Sequence, residues 1–344
     1  MSGKYRTFVE GRAAQRDALA AITDRVTRRL GELADAGSLR GAGPLFVAMG
    51  ASLAACAAPL WALRARGHEA YRIGAGDAPL PLTVRGRAVV AVSQSGGSVE
   101  TLEALRSLPD DVETIAVVNV WPSDIAGAAR AAVDLGNERD SYASTIGYTG
   151  TLVALGVLAD MWDGGAPDPG WRDLPGLLGD FEKEAAAATA EAAAAFDGVS
   201  SVDFVGDASA VGTAEAGALL FREVARVPST AMGTRQYLHG AMESAGGTAH
   251  VIVGGDREVA LGRQLSEAGH PVLLLTSRDV PPGPLLRVVR VPGLPPAQRS
   301  VLEAVVLQGL AQALAEARDV PIESFVFHSA DTKTAMAAYS GETA

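Results

Sequence analysis

The feature that most constrains the fold is an alternation of short, wholly apolar runs with amphipathic stretches. PLFVAMG at 44–50 is a continuous apolar run that ends at Gly50, and RAVVAVSQSG and TIAVVNV follow it with helical patterns between them. Strands buried on both faces give such uninterrupted runs, because a parallel sheet carries helices on both sides. The alternation therefore predicts βαβ units and a doubly wound, three-layer α/β fold.

The same plan occurs twice along the chain. VDFVGDASA at 202–210 takes the place in the second half that PLFVAMGAS at 44–52 takes in the first, which indicates an internal duplication. A stretch dense in Gly, Pro and Asp separates the halves and predicts a boundary. We expect two flavodoxin-like domains in tandem, with an N-terminal helix at 1–36, domains at 37–165 and 176–318, and a tail at 319–344.

Net charge, cysteine content and hydropathy limit the partners and the compartment that we expect for the protein. The formal charge of −11 argues against duplex nucleic acid or an anionic membrane, both of which favour clustered Lys and Arg. Cys56 is the only cysteine and lies in an Ala-rich run, which predicts a small buried side chain and no internal disulfide. No signal-type segment opens the sequence and no apolar run has the length of a membrane span. The expected compartment is the cytoplasm.

The sharpest local signal is Ser-Gln-Ser-Gly-Gly-Ser at 93–98, here called the serine loop. It falls where a buried strand gives way to a helix, whose first turn presents N–H groups and the positive end of the helix dipole. Ser93, Gln94, Ser95 and Ser98 would then form an uncharged set of donors for an anion such as phosphate. Simple N-capping by Ser95 or Ser98 explains the same residues equally well from spacing alone.

Two further polar turns follow predicted strands of the first half. Ser52 comes after Gly50, and Ser144 lies in a Ser-Tyr-Ala-Ser-Thr cluster at 141–145 before a long apolar helix. In a doubly wound sheet the strand-end loops converge on one crevice at the carboxyl edge. We therefore expect Ser52 and Ser144 to lie near the serine loop.

These turns resemble those of the sugar-isomerase (SIS) domain family. Gly50-Ala51-Ser52 is similar to the family's Gly-Thr-Ser turn, the serine loop to its Ser-Gln-Ser-Gly-Glu-Thr phosphate loop, and 143–149 to its Ala-Ser-Thr-Lys-x-Tyr-Thr segment. From about residue 40 onwards the chain resembles the tandem isomerase module of glucosamine-6-phosphate synthase and the stand-alone sugar-phosphate deaminases, isomerases and deglycases. The resemblance implies a phosphosugar ligand in the site made by Ser52, Ser93, Gln94, Ser95, Ser98 and Ser144.

The resemblance also implies three catalytic residues. Glu223, in GALLFREV, matches the glutamate that shuttles a proton between C1 and C2, and His239 matches the histidine that assists ring opening. Lys333 falls where synthase-like members carry a tail lysine that meets the sugar carbonyl. Without the resemblance, Glu223 would be interpreted as a surface carboxylate beside Arg222 and Arg226, and Lys333 as a solvated tail residue.

The sequence departs from the family at three positions that bear on the reaction. Leu220 replaces a lysine one turn before Glu223, Ile146 replaces the lysine of Ser-Thr-Lys, and Gly97 replaces the glutamate of the phosphate loop. With no glutaminase domain, glutamine-dependent synthesis is not expected. We expect a hexose or hexosamine 6-phosphate deaminase, deglycase or isomerase that needs no metal or cofactor and forms a homodimer.

Three alternatives stay open on the sequence. One is a plain aldose–ketose phosphate isomerase, and another is a non-catalytic phosphosugar-binding protein. A dinucleotide-binding protein would share the fold, but the first turn lacks G-x-G-x-x-G.

Overall fold

The computed structural model describes residues 5–327, 329 and 331–334. It divides into two compact units, each with its own parallel sheet. The first unit runs to Pro175 and includes the described residues from Val326 onwards, while the second spans Gly176–Phe325. This confirms the three-layer α/β fold with two domains in tandem.

The sheet of the first unit has five parallel strands in the order β2-β1-β3-β4-β5. Its strands are β1 Leu45–Ala48, β2 Tyr71–Gly74, β3 Val89–Ser93, β4 Thr114–Val118 and β5 Ala131–Asp134. All of β3 and β4 is buried, as their unbroken apolar sequences require. The strand order reverses between β1 and β3, and doubly wound folds bind ligands at such a switch point.

Helices cover both faces of this sheet. They are α1 Phe8–Asp35, α2 Gly50–Ala55, α3 Ala57–Ala65, α4 Val99–Arg106, α5 Asp124–Ala128 and α6 Ile146–Met161. Helix α6 packs against α1, α2 and α3, while α4 packs against α5. Helix α1 begins at a capping box in which the Thr7 hydroxyl accepts from the Glu10 N–H and the Glu10 carboxylate accepts from the Thr7 N–H.

The second unit repeats the plan of the first. Its strands are β6 Ser201–Gly206, β7 Ser229–Met232, β8 Thr248–Val253, β9 Val272–Thr276 and β10 Leu286–Arg290, in the order β10-β9-β8-β6-β7. Counted along the chain, both sheets place the second strand beside the first, and the third, fourth and fifth on the other side. This common order supports the internal duplication.

The second unit contains four further helices: α8 Val211–Leu220, α9 Thr234–Leu238, α10 Asp256–Glu267 and α11 Pro296–Ala317. Helix α7, Gly170–Phe196, begins in the first unit and continues into the second. A π-helical segment, Phe221–Ala225, continues α8. Of the residues that the structure describes, only α11 forms a helix with the length and hydropathy of a membrane span. It packs against α8 and buries most of its residues, as the core helix of a globular domain does.

Several short elements escape sequence analysis. Strand β7 and helices α5 and α9 have only four or five residues each, too few to show a period. The sequence predicts one helical stretch from about Ser52 to Arg66, whereas the structure divides it into α2 and α3 at Cys56, which is buried as expected. Of the predicted tail, residues 328, 330 and 335–344 lie outside the described residues.

Candidate functional site

The serine loop connects the buried strand β3 to helix α4, at the switch point of the first sheet. Two backbone N–H groups from the end of β4, those of Asn119 and Val120, donate to the Gln94 carbonyl at 3.0 and 3.2 Å. The Ile125 N–H donates to the Gly96 carbonyl at 3.0 Å. The loop is therefore held from the neighbouring strand and from α5.

The hydroxyls of the loop do not cap the helix. Ser98 occupies the N-cap position of α4 with extended backbone angles, yet its side chain makes no capping hydrogen bond. Its Oγ lies 3.1 Å from the Ser93 Oγ, so one hydroxyl donates to the other and one proton of the pair remains available. The Ser95 Oγ accepts from the Gly97 N–H at 3.4 Å and keeps its own proton to donate. N-capping thus does not explain these serines.

Gly96 is required by the shape of the loop. Its φ of 65° lies in the left-handed region, which side chains other than glycine rarely adopt. A Cβ at this position would also overlap the Ser123 side chain.

Asp140 is the organising residue that sequence analysis missed. Its buried carboxylate lies at the start of α6 and accepts hydrogen bonds from the backbone N–H groups of Thr145, Ile146 and Gly147 at 2.8–3.2 Å. It also accepts from the Thr145 hydroxyl at 2.6 Å and the Ser144 hydroxyl at 2.8 Å. An anion at a helix N-terminus is favoured by the helix dipole. An internal anion therefore already fills this helix N-terminus.

Asp140 also fixes the serine loop. The Gln94 side chain donates from Nε2 to the Asp140 carboxylate at 2.7 Å and crosses close to Gly147, where a Cβ would overlap the amide. The Ser144 hydroxyl proton is committed to the same carboxylate, which leaves the Ser144 oxygen as an acceptor only. The signal in the sequence was an acidic residue directly before the polar cluster at 141–145.

Ser52 is the third residue of α2 and is half-buried. Its carbonyl accepts from the Cys56 thiol at 3.2 Å. Because α2 follows β1 and the serine loop follows the neighbouring β3, both turns stand at the carboxyl edge of adjacent strands.

The tail brings Lys333 to the serine loop. Lys333 forms an isolated antiparallel β-bridge with Ser98, and its Nζ donates to the Ser95 Oγ at 3.2 Å. The side chain stays exposed, but partial burial lowers the pKa of Lys333 below its ordinary value, while the nearby Glu100 carboxylate acts in the opposite direction. Among the predicted catalytic residues, Lys333 alone belongs to the first unit.

Glu223 lies in the π-helical segment of the second unit. It is half-buried, and burial raises the pKa of its carboxyl from 4.5 to about 7. A carboxyl with this pKa exchanges a proton readily near neutral pH, which suits a general acid–base group.

His239 is the residue after α9 and is exposed. Helix α9 is anchored through Tyr237, whose hydroxyl lies 3.2 Å from the Asp203 carboxylate and 3.3 Å from Nδ1 of His250. Burial lowers the pKa of His250 to about 4, so His250 stays neutral in this network and has a structural role. The network fixes the backbone that carries His239 and leaves the imidazole of His239 accessible.

The described part of the chain shows no group of three or more His, Cys, Asp or Glu side chains arranged to hold a metal ion.

Comparison with known sequences identifies one family. Residues 44–161 match the family model of the SIS domain, a segment that contains the serine loop, Ser52, Asp140 and Ser144. No curated protein sequence matches the chain.

Solved structures share the fold over nearly the whole chain. The C-terminal domain of glucosamine-fructose-6-phosphate aminotransferase from Francisella tularensis is 17% identical with a TM-score of 0.74, covering 93% of this chain and 98% of that one. Tagatose-6-phosphate ketose/aldose isomerase from Escherichia coli is 13% identical with a TM-score of 0.72, covering 94% and 97%. Glucosamine-6-phosphate deaminase from Thermotoga maritima is 18% identical with a TM-score of 0.68, covering 90% and 97%.

Proposed function

Because residues 44–161 form a SIS domain, we propose that the protein is an enzyme that acts on the C1–C2 end of a hexose or hexosamine 6-phosphate. The observation that carries the proposal is the serine loop, whose hydroxyls face one another and the tail instead of capping α4. Hydroxyl donors that the protein does not use internally are available to the oxygens of a phosphate. The solved structures with this fold include a sugar-phosphate isomerase and a deaminase, which supports the same class.

The catalytic roles follow from the chemistry of Glu223 and His239. Glu223 as a carboxylate takes a proton from the carbon next to the carbonyl or protonated imine, which gives an enediolate or an enolamine, and then returns the proton to the neighbouring carbon. In the enediolate a second proton moves from the O2 hydroxyl to O1 through solvent, so that the carbonyl changes position. His239 moves a proton from the anomeric hydroxyl to the ring oxygen, which opens the sugar. Neither step consumes an oxidant or reductant.

The nitrogen chemistry separates the candidate reactions. A deaminase or deglycase releases an amine from the substrate, whereas a plain aldose–ketose isomerase only moves a proton between C1 and C2. Incubation with glucosamine 6-phosphate should release ammonia if the protein is a deaminase, and incubation with an amine adduct of a hexose 6-phosphate should release that amine if it is a deglycase. Incubation with glucose 6-phosphate or fructose 6-phosphate should interconvert aldose and ketose if the protein is a plain isomerase.

A thermal-shift screen over hexose and hexosamine 6-phosphates should come first, since a ligand that binds the folded state raises its melting temperature. We expect a stabilising phosphosugar, a turnover with one of the substrates above, and loss of that turnover in Glu223→Gln with binding retained. Phosphosugar binding without turnover by the wild-type protein would favour a non-catalytic binding protein. No stabilisation by any phosphosugar would contradict the proposal.

We also propose that the protein is a homodimer, as its resemblance to the family implies. Sedimentation equilibrium of the whole chain should give twice the monomer mass of 35.2 kDa.

A further inference from the structure

The tail is joined to the serine loop by its backbone. The Thr334 N–H donates to the Gly97 carbonyl at 2.8 Å, and the Val99 N–H donates to the Thr332 carbonyl at 3.3 Å. Between these two bonds lies the antiparallel bridge of Lys333 with Ser98. Residues 332–334 are thus in register with 97–99, and the position of Lys333 is set by main-chain bonds on both sides of it.

This register directs the Lys333 ammonium to the serine loop. Its contact is the Ser95 Oγ at 3.2 Å, and an ammonium group has three N–H donors, so this contact leaves two that can reach a ligand. The donors of Ser93, Ser95 and Ser98 are uncharged, and Lys333 adds a positive charge to them. A charge-assisted hydrogen bond to phosphate is roughly twice as strong as a neutral one.

We propose that Lys333 is a phosphate-binding residue of the serine loop, and that it does not form an imine with the sugar. The proposal rests on the proposed function and assigns Lys333 a different role from the one that the family resemblance implies. In a hexose 6-phosphate the phosphate and the C1–C2 carbonyl lie at opposite ends of the carbon chain. An amine held against the phosphate-binding hydroxyls is therefore far from the carbonyl carbon. Imine formation also needs a neutral amine, whereas a neighbouring phosphate favours the ammonium form.

Two substitutions of Lys333 distinguish phosphate binding from imine formation. Lys333→Arg keeps a positive charge but cannot form an imine, and Lys333→Met removes both. We expect Lys333→Met to weaken the binding of inorganic phosphate and of the stabilising hexose 6-phosphate by about tenfold or more in isothermal titration calorimetry. Lys333→Arg should stay within about threefold of the wild type and retain turnover.

Lys183→Met is the matched control, because Lys183 is an exposed lysine of α7 that pairs with Asp180. It should change neither affinity nor turnover. Thr334→Pro is a second way to detach the tail, since proline lacks the N–H that bonds to Gly97. It should weaken phosphate binding as Lys333→Met does, while Lys333 itself is still present.

Four results would overturn the inference. Lys333→Met could bind phosphate as well as the wild type does, which would leave the proposed function intact. Lys333→Arg could lose turnover as completely as Lys333→Met while both still bind phosphate, or borohydride could trap a covalent adduct of Lys333 with the substrate; either would restore the imine role. A wild-type protein that binds neither phosphate nor any phosphosugar would overturn both proposals together.

Discussion

Asp140 places a full negative charge at the start of α6, surrounded by backbone N–H groups, two hydroxyls and the Gln94 amide. Six different groups donate to this one carboxylate, from the serine loop and from the first turn of the helix. The buried charge is tolerated because hydrogen-bond donors surround both carboxylate oxygens. Under the proposed function Asp140 would affect ligand binding through Gln94, as a positioning residue.

Replacing Asp140 with asparagine tests this role. One acceptor oxygen would become an NH₂ group that faces donors, so we expect the free energy of unfolding to fall by about 3 kcal/mol. Because Gln94 loses its acceptor, KM for the phosphosugar should rise while kcat changes less. Urea denaturation and steady-state kinetics would measure the two effects.

Asp134→Asn is the control for this substitution. The Asp134 carboxylate pairs with Arg25 near the surface, and such pairs contribute at most about 1 kcal/mol. Equal stability and equal KM in Asp140→Asn and the wild type would show that the network does not position the loop.

At the scale of single residues, the sequence predicts the serine loop better than it predicts Asp140, the residue that holds the loop in place. Glycines and hydroxyls at a strand–helix junction give a local pattern, and the structure has the loop at that junction. For Asp140 the local signal is only an acidic residue before the polar cluster at 141–145, and its bond to Gln94 has no local pattern, since Gln94 lies 46 positions away in the sequence. Only the tertiary fold brings the two together.

At the scale of elements, the π-helical segment after α8 has the clearest consequence. Phe221 is buried against Phe204 at a ring distance of 4.9 Å, and the segment ends at Arg226, whose φ of 52° is left-handed. Such segments are frequent at functional sites. The sequence predicts one helix over Thr213–Val224, because local periodicity does not distinguish a widened turn from an α-helical one. Glu223 lies at the centre of this segment, between the buried residues Phe221 and Ala225.

The raised pKa of Glu223 predicts how stability depends on pH. The folded state holds the Glu223 proton up to about pH 7, whereas an ordinary glutamate loses it near 4.5. Between these values the folded state binds more protons than the unfolded state, so the wild type loses stability as pH rises, by on the order of 3 kcal/mol in total. Glu223→Gln cannot ionise and should match the wild type at pH 4.5 but exceed its melting temperature at pH 8.

Melting curves of both proteins from pH 4.5 to pH 8 would check this expectation. In kinetics the carboxylate form is the base, so kcat/KM of the wild type should decline as pH falls below about 7. Melting temperatures that run parallel at every pH would mean that Glu223 titrates normally.

At the scale of the whole molecule, the chain leaves the first unit at Pro175 and returns to it at Val326. The sequence predicts the duplication and the order of the larger elements, because apolar strands and turn residues repeat in both halves. That the tail at 319–344 completes the site is implied only by the family resemblance, through Lys333, and by no repeated pattern of residues. The pairing consists of two main-chain hydrogen bonds between residues 97–99 and 332–334, and main-chain hydrogen bonds leave no trace in residue type.

Shortening the chain tests whether the pairing of residues 332–334 with the serine loop contributes to ligand binding. A protein that ends after Phe327 lacks the paired segment and should bind phosphosugar about tenfold more weakly or worse. It should keep both sheets, since every strand of the described structure precedes this point. A protein that ends after Thr334 retains the pairing and should bind as the full chain does. Calorimetry and circular dichroism would measure both, and equal affinity in the two shortened proteins would contradict the prediction.

Because residues 332–334 lie near the C-terminus, they are synthesised long after the serine loop with which they pair. Ribosomes make the serine loop more than two hundred residues before they make Thr332, Lys333 and Thr334. All five strands of the first unit are therefore synthesised long before Lys333. A chain that stops between Phe327 and Lys333 would contain every strand of the described structure yet lack the charge that the proposal assigns to phosphate binding.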